Sequence, residues 1–178
     1  MMRGDKMQLN AFDVLIGLRL SIVRRAANML VLHFGDIRAH RSGKGTVGAY
    51  GLHVQGPWRL DGPIGTVTGS EDLYEYVGPG ERPANWSYED GPSLQDQRLD
   101  DLLGPRDGST RSWVNLTDRL IVTAAHQTNR GDVTLELTGG HAILLFPASA
   151  GREAWRLIAS GAKDHVIFPE EPIETAKA

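Results

Sequence analysis

Hydrophobic and polar residues alternate through most of this chain, and the places where the alternation breaks divide it into strands, turns and one helix. The first firm run is LRLSIVRRA, in which Leu18, Leu20 and Ile22 share one strand face against Arg19 and Ser21. In NMLVLHFGDIRAH, Leu30, Leu32 and Phe34 share a face, His33 points to the other, and Gly35-Asp36 reads as a tight two-residue turn. A Gly-rich stretch, RSGKGTVGAYG, leads into LHVQGPWRL, a turn at Asp61-Gly62-Pro63 and a further strand, IGTVT, at 64–68. Before all of these, a short helix is expected over 9–15.

The second half runs in the same order. RLIVTAAHQ precedes GDVTLELTGGHAILLFPAS, where Val133, Leu135 and Leu137 share a face, Gly139-Gly140 forms the turn and Ile143 to Phe146 return. EAWRLIAS and HVIFP then close the series, as LHVQGPWRL and IGTVT close the first. This order reads as a diverged internal duplication, with units at 15–69 and 118–168 and the extra residues of the first copy placed in RSGKGTVGAYG. Ordinary hairpin grammar produces similar order, so both origins stay open at this level. A single unit would leave strand edges unpaired and one sheet face bare, and two packed together remove both problems.

Between the units, the segment 70–117 is rich in Gly, Pro, Asp and Glu and carries one helix, expected over 93–103. Ser93 suits its N-cap, Asp96 falls three residues later, and Gly104-Pro105 ends it. Leu99, Leu102 and Leu103 form its packing face. The expected fold is therefore a single domain over 1–178 of the α+β class, predominantly β. Two related antiparallel β-meander units form a sandwich or partly open barrel, with one short helix in the connecting segment. The ends 1–8 and 170–178 lack periodicity and are expected to be disordered.

Trp-Arg-Leu occurs once in each unit, at residues 58–60 and 155–157. Strand geometry turns Trp58 with Leu60, and Trp155 with Leu157, into the core, and sends Arg59 and Arg156 outward. On a common surface the two guanidinium groups would clamp an anion or a partner's carboxylates.

Composition narrows the classes of function. With 178 residues, 40% hydrophobic and 23% charged, the chain is an ordinary globular protein. Its 19 Lys and Arg against 22 Asp and Glu give a net charge of −3, so a nucleic-acid role, the less expected one, would need a local patch. The candidates for such a patch are Arg19, Arg24 and Arg25, then Arg38, Arg41 and Lys44. No cysteine is present, which removes disulfides and thiolate metal sites and fits a cytoplasmic location. The N-terminus has no signal-peptide pattern and no apolar run is long enough to span a membrane.

Chemical motifs are sparse. The six histidines, His33, His40, His53, His126, His141 and His165, form no HxH or HExxH ligand pattern and read as surface or edge residues, so no metal and no cofactor is expected. No serine sits in a G-x-S-x-G elbow. RSGKGT departs from a phosphate loop twice, since Gly45 follows Lys44 and Arg38 stands where the first glycine belongs. Asp72 and Glu75, with His53, are the one combination suited to acid/base catalysis, and a solvated acidic loop accounts for the two carboxylates more readily.

The combined pattern, NMLVLHFG, LHVQGPWRL followed by TGSEDL, and LELTGGHAILLFPAS with EAWRL, resembles small bacterial proteins of domain-of-unknown-function families, some of them similar to immunity proteins. The resemblance spans most of 15–168 and its motifs are structural, so it carries over no catalytic residue. The sparse catalytic motifs and the aromatic residues of the inserted segment point to a non-catalytic cytoplasmic module, of immunity or regulatory type, that binds another protein. Tyr74, Tyr76, Trp86 and Tyr88, with acids beside them, are the candidate contact residues in the inserted segment. Two other readings stay open: a small-ligand binder with a pocket between the β units and Arg59 or Arg156 as its polar group, and an enzyme with a noncontiguous site. Strand edges also leave homodimerisation open.

Overall fold

A computed structural model describes residues 10–89 and 91–169, so the two polar ends lie outside the described residues. Strands make up 41% of the chain, arranged in antiparallel sheets that do not close into a barrel, with one α-helix among the described residues. The short helix expected at 9–15 is a 3₁₀ turn, Ala11–Leu15, capped by Asn10, whose side chain accepts from the Phe12 N–H.

The first sheet takes three strands from the first half, β1 (Leu20–Ala26), β2 (Met29–Phe34) and β5 (Tyr50–Val54). Between β2 and β5 lies a small separate hairpin of β3 (Arg38–Ala39) and β4 (Thr46–Val47). The chain then crosses to the second sheet with β6 (Trp58–Gly62) and β7 (Gly65–Gly69). Near the end of the connecting segment, β8 (Ser112–Val114) adds to the edge of the first sheet. The second half reverses the assignment. Strands β9 (Val122–Gln127), β10 (Val133–Leu137) and β11 (His141–Leu145) build the second sheet, and β12 (Trp155–Ala159) and β13 (His165–Phe168) cross back to the first. The sheet orders are β13-β12-β5-β2-β1-β8 and β7-β6-β11-β10-β9.

Registers in the two halves correspond. On β5 and β12, Leu52 faces Leu157 and Val54 faces Trp155. On β11 and β6, Ile143 faces Leu60 and Leu145 faces Trp58. Each Trp-Arg-Leu thus joins one half to the other's sheet, with Trp and Leu inside a single buried cluster drawn from both sheets. Trp155 stacks on Phe168 at 5.6 Å, meets Phe12 edge-on at 4.9 Å and donates its indole N–H to Gly131 O at 2.8 Å.

The helix α1 (Leu94–Leu103) begins at Ser93 with a capping box, Ser93 Oγ accepting from Asp96 N and Asp96 Oδ2 from Ser93 N, and ends at Gly104. Leu99 is buried and Leu102 and Leu103 pack beside it.

Two strand-level expectations are corrected. A bulge between Leu20 and Ile22 turns Leu20 to the core and Ile22 to the outer face, so these residues do not share a side. Nor is Gly35-Asp36 a two-residue turn. The chain does not return until Tyr50, opposite Phe34, and residues 35–49 form the extra hairpin. The corresponding connection in the second half is the short turn 138–140, where Gly139 (φ 77°) and Gly140 (φ 73°) supply the backbone that a tight hairpin demands.

Candidate functional site

The extra hairpin folds over the outer face of the first sheet and creates the site. Its base lies against β2 because residue 48 is glycine: a Cβ there would overlap the Phe34 backbone. Its second strand is tied down by Arg24, whose Nη2 donates to Thr46 O at 2.8 Å. Beneath it, His33 sits on β2 between Ile22 of β1 and Gly51 of β5, only 7% exposed. A Cβ on Gly51 would lie 3.6 Å from His33 Nδ1, so the imidazole rests beside the bare backbone of this glycine. That Nδ1 is buried and has no hydrogen-bond partner. Burial first, then the positive charge of Arg24 and the neighbouring His53 and His40, push the His33 pKa down to about 4.

Above His33 opens a cavity of about 430 Å³. Its floor is formed by His33, Gly51, His53, Ile158 and His165 of the first sheet with the adjoining residues 160–162, and its roof by Arg38, Ala39, His40, Arg41, Val47 and Gly48. Four of the six histidines meet here, and among the described residues no aspartate or glutamate lines the cavity. The Ser42 N–H donates to His40 Nδ1 at 3.1 Å, so His40 keeps its remaining N–H on Nε2. Arg156 Nη1, always a donor, faces His165 Nδ1 at 3.3 Å and fixes the same tautomer there. Burial and Arg156 lower the pKa of His53. The carboxylate of Glu153, on the adjoining outer surface, is engaged by Arg156 at 3.1 and 2.6 Å and by Gln55 at 3.1 Å.

The expected site residues are dispersed. Arg59 lies on the outer face of the second sheet, paired with Asp61 at 2.8 Å and over the Phe146 ring at 5.6 Å. Arg156 lies on the outer face of the first, so the two guanidinium groups share no surface. Between the sheets, the cavity lined by Leu20, Leu32, Trp58 and Leu99 is apolar and holds only about 10 Å³, room for no ligand. In the inserted segment Tyr74 meets Tyr88 edge-on at 5.7 Å, Tyr76 meets Trp86 at 5.5 Å, and Arg82 covers Trp86 at 5.0 Å. Asp72 caps its own turn, accepting from Thr68 Oγ1 and Gly69 N, and with Glu75 stands outside the pocket that holds His53.

No family model, curated protein or solved structure matches the chain. The site is therefore read from its own chemistry. Among the described residues no group of three or more His, Asp or Glu side chains has the geometry to hold a metal ion, and no helix is long and apolar enough to cross a membrane. A larger cleft of about 490 Å³ sets Arg19 and Arg38 against Asp36 and Asp118, so its charges compensate one another. Among these clefts the histidine pocket differs in having basic side chains and, among the described residues, no carboxylate in its lining.

Proposed function

We propose that the protein binds a small molecule, without transforming it, in the histidine pocket beneath the β3–β4 hairpin. The observation that carries this reading is the lining of the cavity, which gathers His33, His40, His53 and His165 with Arg38 and Arg41 and, among the described residues, no aspartate or glutamate. The strand correspondence supports reading the halves as two copies of one unit, of which only the first acquired the 35–49 insertion. On that reading the pocket is an addition to a symmetric scaffold, the usual place for function to be grafted. Cavity size also suits a small ligand.

Contact with another protein is the second reading, and it rests on Tyr74, 44% exposed at the edge of the Tyr76, Trp86 and Tyr88 cluster. Those rings are largely engaged with each other, which is why the pocket reading leads. A mixed library of small fragments, followed by amide NMR shifts, separates the two. The pocket reading expects saturable shifts at Val47, Gly51 and Ile158 together. Shifts confined to residues 74–88, or none at all, would overturn it.

A further inference from the structure

We infer that the ligand of this pocket carries a phosphoryl group, held between the sheet histidines and the arginines of the hairpin. The inference rests on the small-molecule reading above and adds the chemical class. Its first ground is sign. The protein as a whole is negative, with a net charge of −3, yet the charged side chains in the lining of this cavity are Arg41 and Arg38, the latter shared with the neighbouring cleft, and no carboxylate joins them among the described residues. Clefts lined by one sign of charge concentrate ligands of the other.

Geometry is the second ground. The polar groups line the cavity from two opposed elements: His33, His53 and His165 from the first sheet, Arg38, Arg41 and His40 from the hairpin segment over it. A planar carboxylate is satisfied by a single coplanar fork, whereas a tetrahedral phosphoryl group presents oxygens in several directions and needs donors on several sides. The Nδ1 atoms of His40 and His165 are taken by Ser42 and Arg156, which leaves Nε2 of each ring as the donor that complements the guanidinium charges. The third ground is the remainder of the cavity. Ala39, Val47, Ile158 and Ala162 add an apolar lining beyond what a bare ion requires, which fits a phosphate ester with a small organic body.

Phenyl phosphate is the probe, with benzoate as the planar anion of similar size and benzyl alcohol as the neutral counterpart, each titrated by amide NMR and calorimetry on the intact chain. Expected is saturable binding of phenyl phosphate at Val47, Gly51 and Ile158, about tenfold or more tighter than benzoate, with no measurable binding of benzyl alcohol. Arg38→Gln with Arg41→Gln, both on the exposed hairpin, should weaken phenyl phosphate by about tenfold or more while leaving the spectrum of the folded core unchanged. Benzoate binding as tightly, or benzyl alcohol binding in its place, overturns the phosphoryl assignment and leaves the pocket reading standing. Pocket fragments of other chemistry without any anion among them do the same. Silence of the pocket toward these probes and the fragment library alike overturns both.

Discussion

His33 shows how one residue can be legible in orientation and not in environment. The alternation of Leu32, His33 and Phe34 places the imidazole on the outward face, and it does point there. What the pattern of β2 does not contain is the hairpin folded back over that face, which turns an outward histidine into a buried one. Its low pKa has a consequence for stability. Unfolded, His33 takes up a proton near its ordinary 6.5; folded, it does so only near 4. Between those values the unfolded chain binds more protons, so lowering the pH through this window destabilises the fold, by up to about 3 kcal/mol from this group. The Arg24, His53 and His40 charges oppose protonation in the fold, and His53, itself shifted downward, adds to the same slope. Urea unfolding at pH 7 and near pH 4.5 should therefore show a clear loss that shrinks in His33→Gln. An equal loss in both proteins would contradict the assignment.

Among the elements, α1 was the most readable, because Ser93, Asp96 and Gly104 act through local backbone geometry that short sequence stretches encode. The long-range part of its role was not readable. Asp96 Oδ1 also accepts from Arg25 Nη2 at 2.7 Å and from Arg106 Nη1 at 3.1 Å, with the Asp96 and Arg25 side chains 7% and 10% exposed. Burial lowers the Arg25 pKa, and Asp96 opposes that effect. Asp96→Ala removes the carboxylate half of the capping box and strands Arg25 without its carboxylate, and should cost about 3–5 kcal/mol in chemical denaturation. A cost below about 1 kcal/mol would mean the cluster does not anchor the helix. The bulge at Leu20 to Ile22 and the return of the chain at Tyr50 instead of after Asp36 escaped for a common reason. Both are set by which strand pairs with which, and Gly35-Asp36 looks locally like a turn. One signal was present: the basic residues Arg38, Arg41 and Lys44, with His40, fall in the stretch that the second half lacks.

At the scale of the molecule, each sheet combines a three-strand meander of one half with a hairpin of the other. The order of segments made the strand content and the inward Trp-Leu pairs legible, while the exchange of hairpins between sheets depends on contacts remote in sequence. This arrangement separates scaffold from site. Phe34 stands opposite Tyr50 as Leu137 stands opposite His141, so the same short connection can close either pair of strands. The account's central claim, that the insertion 35–49 makes the binding site, is tested most directly by exchanging those residues for a copy of the 138–140 turn and measuring phenyl phosphate binding by calorimetry. The account predicts a chain that still folds, with core amides such as Leu52, Leu135 and Leu157 near their original positions, and that no longer binds. Binding of undiminished affinity in the folded exchanged protein would contradict it.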